Sequence, residues 1–227
     1  MDNIVIGVEG LVGSGKTSMC RELLHRLPNS ILFHGGNLYR GIIYAFMKEN
    51  RTLDSLKNKD IAEIMKELKV KIEIEDSETV VYVDNQKINE DDLQNTKTSM
   101  AVSKASNIAD NKALFVFARN IINNFKQKYN IIVSGRSLME IYPNLDYHFF
   151  ITADIDERVK RKARQYNGNI DIQELKEHII KRDELQEASG FYKIYPNTIK
   201  VDVTDCKTAE ESCYKLCEYI EELKVLN

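Results

Sequence analysis

The 227-residue chain has no run of about 18 consecutive apolar residues, so no segment reads as a membrane-spanning helix. Its formal net charge of −3 gives no overall bias toward nucleic acid or a membrane surface, and any polyanion site must be local. Cysteine is scarce: Cys20, Cys206, Cys213 and Cys217 make no disulfide framework, which fits a cytoplasmic protein. Cys213 and Cys217 are four apart on a predicted helix, a spacing a metal can use. However, Leu216, Ile220 and Leu223 share that face and no histidine lies nearby, so buried reduced thiols are expected instead. Internal repeats, low-complexity stretches and interdomain linkers are absent. The chain reads as a strand almost from its first residue, which leaves no room for a signal peptide. What remains is ordinary: 43% hydrophobic, 30% charged, and a length that suits one α/β domain with a small appended subdomain.

The strongest signal is at the start. Asn3 to Val8 is a short, mostly β-branched run that predicts a buried strand. It passes directly into Gly10-Leu11-Val12-Gly13-Ser14-Gly15-Lys16-Thr17, the G-x-x-x-x-G-K-T pattern of a phosphate-binding loop, and Ser18 follows. Glycines let the backbone approach a phosphate at positive φ, and the loop N–H groups form an anion nest. A helix beginning near Lys16 adds its positive dipole end. Lys16 brings a mobile charge to the outer phosphates, and the Thr17 hydroxyl is the expected Mg²⁺ ligand. Met19, Leu23, Leu24 and Leu27 give that helix an apolar face, and Pro28 stops it.

Downstream, apolar runs predict four more buried strands, at 31–33, 130–133, 147–151 and about 201–203. His34-Gly35-Gly36 after the second strand reads as an open turn at the ligand-binding edge of the sheet, with Arg40 near the start of a helix running to about Asn50. Arg40 is either an anion clamp or a solvated surface residue. A helix at 59–69 precedes a change of period: Val70, Ile72 and Ile74 alternate with charged residues, and Thr79 to Val83 is β-branched and aromatic. A turn at Asp84-Asn85-Gln86 and a short strand at Lys87-Ile88 complete a small inserted antiparallel sheet. Residues 91 to about 128 are helical, with Asp110 a candidate cap and Leu114, Phe117, Ile121, Ile122 and Phe125 an apolar stripe. Gly135 and Arg136 follow the third strand and also face the ligand edge. Arg158, Arg161 and Lys162 share one helix face. Such a run serves as a solvated face, a nucleic-acid patch or a lid that brings arginines over a transferring phosphoryl group. The Gly168 region and a helix at 172–188, carrying Arg182, would complete the lid, and a final helix is expected at 208–225.

Taken together, VEGLVGSGKTS, GGNLYRG, the inserted sheet, ASNIA, SGRS, Glu157-Arg158 and Lys181-Arg182-Asp183 resemble the bacterial cytidylate kinases over nearly the whole chain. The resemblance implies an α/β P-loop three-layer fold. It would have a five-stranded mainly parallel sheet, an inserted acceptor-binding subdomain at about 59–108 and a helical lid at about 155–188. It implies transfer of the ATP γ-phosphate to CMP or dCMP with Mg²⁺, by a monomer acting on small-molecule nucleotides, without nucleic acid or membrane. Residues Gly10 to Ser18 would hold ATP. Gly35, Arg40, Ser106, Arg136 and Arg182 would hold the acceptor, and Lys16, Arg136, Arg158 and Arg161 would act in catalysis. Phosphoryl transfer needs positioning and charge neutralisation rather than an unusual base.

The chain also departs from the family pattern. His34-Gly35-Gly36 replaces Asp-Ser-Gly, and Ser134-Gly135-Arg136-Ser137 replaces Asp-Gly-Arg-Asp. Asn111 aligns with an arginine that reads cytosine, and Glu184 to Ser189 lacks an arginine and a sugar-holding aspartate. This marks a divergent member. It keeps open a kinase for another nucleotide or metabolite, and a nucleotide-binding regulatory module that has lost catalysis.

Overall fold

The computed structural model describes residues 2–51, 61–94, 98, 111–165 and 171–224. Ser106, Asp110 and the Gly168 region lie outside the described residues. Two compact units emerge: Met1–Leu32 with Tyr129–Asn227, and Phe33–Lys128.

The first unit is built on parallel strands. β1 (Val5–Gly10) lies between β6 (Asn130–Ser134) and β7 (Tyr147–Thr152), and β8 (Thr198–Asp202) pairs with β7, all in parallel. β2 (Ser30–His34) is the neighbour of β6 on the other side; the strand count differs from the five expected, while the α/β class holds. Every residue of β1 is buried, as suits a strand covered on both faces. On one face Ile6 and Val8 join a core with α1 (Lys16–Arg26) and α9 (Ala209–Cys217), through Met19, Leu23, Cys213 and Leu216. On the other face Gly7 has no room for a side chain, because Leu138, in the short helix α6 (Leu138–Ile141), and Leu145 press against it. Helix α1 ends where Leu27 turns extended ahead of Pro28.

The end of the chain differs from expectation. The single helix expected at 208–225 is two helices, α9 and α10 (Glu221–Lys224). Short bonds from Tyr219 N to Leu216 O and from Ile220 N to Cys217 O break the run. Ile220 and Leu223 are still buried in the core with Cys213 and Leu216, as their shared face predicts. All four cysteines are free, with the Cys213 and Cys217 sulfurs 3.8 Å apart. Among the described residues there is no cluster of three or more His, Cys, Asp or Glu able to hold a metal, and no helix long and apolar enough to cross a membrane.

The second unit holds α2 (Gly35–Lys48), α3 (Ile61–Glu67), the strands β3 (Val70–Glu75), β4 (Glu78–Val83) and β5 (Gln86–Lys87), α4 (Glu90–Gln94) and α5 (Asn111–Lys126). The strands form two antiparallel hairpins. Their two-residue loops, Asp76-Ser77 and Asp84-Asn85, have positive φ throughout, the geometry that matches strand twist. Thr79 Oγ1 accepts from His34 N at 2.9 Å and Glu78 meets His34 Nε2 at 2.7 Å. Gly41 lets α2 sit on β4, since a Cβ there would lie 2.5 Å from Val81 Cγ1.

Candidate phosphate site

Parallel pairing brings the C-terminal ends of β1, β6 and β7 together, and residues 10–15 cross that edge. Leu11 N donates to Ile151 O at 3.0 Å and fixes the start of the loop to β7. Gly10 has φ +146°, and a Cβ there would lie 2.2 Å from Ile151 O, so no other residue fits. Gly13 has φ +77°, and a Cβ there would crowd Arg158 O at 3.1 Å. Helix α1 starts at Lys16 as predicted, with Gly15 as its left-handed cap, so its first N–H groups face the loop. Thr17 and Ser18 occupy its first turn.

Lys16 folds back on the loop: Nζ donates to Gly10 O and Leu11 O, each at 2.8 Å. Desolvation, and then the Arg136 charge, pull its pKa from 10.5 down to about 7, with Arg182 adding to the effect. Arg136 stands just past β6, where Gly135 N donates to Val8 O at 3.3 Å. Burial, and then Arg182, hold its pKa below the usual arginine value. Lys16, Arg136 and Arg182 thus feel one another, which is the electrostatic mark of a site arranged for an anion.

The two predicted lid helices are α7 (Ile155–Gln165) and α8 (Ile172–Ala188). Both pack onto the loop through an apolar joint of Val12, Val159, Leu175 and Ile179. Two arginines of α7 bond the loop backbone. Arg158 Nη1 donates to Val12 O at 3.1 Å and pairs with Asp183. Arg161 donates to Ser14 O at 2.9 Å, to Val203 O at 2.7 Å and to Cys206 O at 2.9 Å, while Glu157 accepts from its Nε. Ser14 Oγ and Arg158 Nε are buried with no hydrogen-bond partner among the described residues. Buried polar atoms left unpaired are costly, and two at one anion nest fit a site built for a phosphate chain.

Two residues at this site carried no signal of their own in the sequence. Asp183 accepts from Val12 N at 3.1 Å, and Tyr192 bonds both Asp183 and Gln186. Burial and the Asp183 carboxylate push the Tyr192 pKa upward. Only the RD pair at 182–183 offered a clue.

In the second unit, Gly35 opens α2 directly after β2, rather than lying in the open turn the two glycines suggested. The bonds to Thr79 and Glu78 hold His34 at the helix cap, so Gly35 and Gly36 are already helical. Gly36 instead makes room for Arg40 one turn later. A Cβ there would lie 2.9 Å from Arg40 Nη1, which also donates to Asn37 at 3.3 Å.

Residues 6–222 match the family model for cytidylate kinase. The chain belongs to the cytidylate kinase family. It is 28% identical over 217 residues to a cytidylate kinase of Clostridioides difficile, covering 93% of this chain and 95% of that protein. It is 30% identical over 185 residues to a bifunctional pantoate ligase/cytidylate kinase of Prochlorococcus marinus, covering 79% of this chain and only 35% of that longer protein. The crystal structure of TT1252 from Thermus thermophilus superposes with a TM-score of 0.52 at 12% identity over the full length of both chains, a likeness of fold. Membership in this family carries the general description of a nucleotide-binding phosphotransferase.

Proposed function

We propose that this protein transfers the γ-phosphate of ATP to a nucleoside monophosphate, with CMP and dCMP as the first acceptors to test. The observation that carries this is the loop of residues 10–17, where Lys16, Arg136, Arg158 and Arg161 surround backbone donors and the unpaired Ser14 hydroxyl. Gly10 to Ser18 hold the ATP phosphates in this reading. Lys16 leaves its own loop carbonyls for the outer phosphates. The Thr17 hydroxyl, in the first turn of α1, is the ligand offered to Mg²⁺. When bound, Mg²⁺ supplies charge neutralisation on the phosphate oxygens. The arginines stabilise charge on the transferring group, and Arg136 and Arg182 orient the acceptor phosphate. Gly35, Arg40 and Ser106 carry an acceptor role by resemblance to the family.

A second reading is a kinase for a different acceptor. Ser134 ends β6 opposite Val8, and Ser137 sits in the left-handed region at φ +53°, both where the family has aspartates. ADP release from Mg·ATP should be followed with CMP, dCMP, UMP, dUMP, dTMP, AMP and GMP. Preference for CMP and dCMP supports the first reading, and preference for another acceptor supports the second. Silence across the panel with ATP still bound removes both nucleotide readings and favours a non-nucleotide acceptor or a regulatory module.

A further inference from the structure

We propose that Asp183 is a positioning residue that sets the shape of the phosphate loop. With Arg158 it holds Val12 by its backbone N–H and its backbone C=O. Asp183 Oδ1 accepts from Val12 N at 3.1 Å, and Arg158 Nη1 donates to Val12 O at 3.1 Å. The two side chains are themselves paired, through Asp183 Oδ2 and Arg158 Nη1. Tyr192 donates to the same Oδ1 at 2.6 Å. This inference rests on the reading of residues 10–17 as a polyphosphate site.

The arrangement has a chemical logic. Val12 is the middle of the loop, between Gly10 at φ +146° and Gly13 at φ +77°. A segment with that much glycine has many backbone states in the free protein, and a nest works only in one. Fixing one residue by both its N–H and its C=O pins the two peptide planes that flank it before ligand arrives, which lowers the ordering cost of binding. The Val12 side chain adds a third restraint in the joint with Val159, Leu175 and Ile179. Arg158 is aimed by the same carboxylate, and its buried, unpaired Nε is left for an incoming oxygen. Asp183 also follows Arg182 directly, so one turn of α8 carries both the anion-facing arginine and the loop clamp.

A carboxylate beside an anion site should otherwise repel the ligand, and this gives the test its sign. Calorimetric titration with inorganic tripolyphosphate probes the loop without base or sugar. If Asp183 acts only through its charge, Asp183→Ala binds tripolyphosphate more tightly than the wild type. If it acts only on global stability, the folded variant binds with unchanged affinity and only the melting temperature falls. Positioning predicts weaker binding, by about tenfold or more, the scale of a lost hydrogen bond to a charged group.

Asp183→Asn keeps an acceptor for Val12 N and should fall between the two, which also serves if the alanine variant folds poorly. The double variant Asp183→Ala/Arg158→Ala should bind within about threefold of the weaker single variant, because the two residues act as one clamp. Unchanged or tighter binding in both Asp183 variants, with the wild type binding normally, overturns the inference and leaves the polyphosphate site standing. A wild type that binds no tripolyphosphate overturns both.

Discussion

Residues 10–17 and 34–41 look alike on paper: each follows a buried strand, carries closely spaced glycines and leads into a helix with a basic residue. In space they are opposites. In the first stretch Gly10, Gly13 and Gly15 all take positive φ and build a loop. In the second, Gly35 and Gly36 are helical from the outset, and the room at Gly36 is taken by an arginine guanidinium. The difference teaches that glycine count does not make a nest. The first stretch is tied at its start to the backbone of β7, so its chain must turn within a few residues. The second is tied at His34 by the side chains of Glu78 and Thr79, which leaves the next N–H groups free to begin a helix.

The largest effect should come from the lysine that only the first stretch possesses. Lys16→Ala is expected to lose at least about 10²-fold in kcat while the fold is kept, since in the proposed mechanism it removes the charge brought to the outer phosphates. Near wild-type turnover with melting unchanged would remove the distinction between the two stretches. Gly10→Ala should be nearly as severe in another way. The new Cβ would meet the immobile Ile151 carbonyl at 2.2 Å, so a loss of stability on the order of 3 kcal/mol is expected in chemical denaturation. A loss under about 1 kcal/mol would show that the loop can shift to accept a side chain.

A smaller effect follows from the Lys16 pKa of about 7 in the free protein. Near pH 8.5 Lys16 is then mostly neutral, and phosphate oxygens beside Nζ would restore its charge. ATP binding should therefore take up a fraction of a proton approaching one, a change that fades below about pH 6, where the amine is charged in both states. The same shift sets a sign for stability. Between about 7 and 10.5 the unfolded chain holds a proton on Lys16 that the folded chain lacks. The free protein therefore gains stability as pH rises through that window, and the penalty of burying the charge is fully present below it. Calorimetry in two buffers of different ionisation enthalpy reads the uptake. Equal uptake in Lys16→Ala would assign the proton to another group.

Much of the first stretch was legible because its constraints are local. A strand, six residues with fixed glycines, a lysine and a helix all fall within one window, and the mostly apolar runs at 130–133 and 147–151 announced two more buried strands. The start of α2 was not legible, because it depends on Glu78 and Thr79, more than 40 residues from His34. Tyr192 escaped notice for the same reason, and Asp183 entered only within the Lys181-Arg182-Asp183 resemblance, with no role of its own. An acidic residue on a charged helix resembles any solvated one until Val12 N, 171 residues away, is found donating to it. The lid arginines were read as partners of a phosphoryl group, and the sequence had no way to show that Val12 O and Ser14 O are already among their acceptors. The break between α9 and α10 lies in the bonds of Tyr219 N and Ile220 N to carbonyls three residues back, and the apolar periodicity running through Leu216, Ile220 and Leu223 carries no sign of it.

The smallest effect sharpens the comparison most. Gly36→Ala replaces a helical glycine, a change that raises helix stability by up to about 1 kcal/mol. Its Cβ would lie 2.9 Å from Arg40 Nη1, the far end of a flexible side chain, which can move aside at little cost. Denaturant titration should therefore show stability unchanged or higher by less than about 1 kcal/mol, in contrast to Gly10→Ala. The consequence should appear in acceptor binding instead, because Arg40 loses the place over Gly36 that fixes its guanidinium. A raised KM for the acceptor at unchanged KM for ATP would assign this glycine to the placement of one arginine. Destabilisation above about 2 kcal/mol would mean that residue 36 needs glycine for its backbone, and that the two stretches are more alike than their torsions indicate.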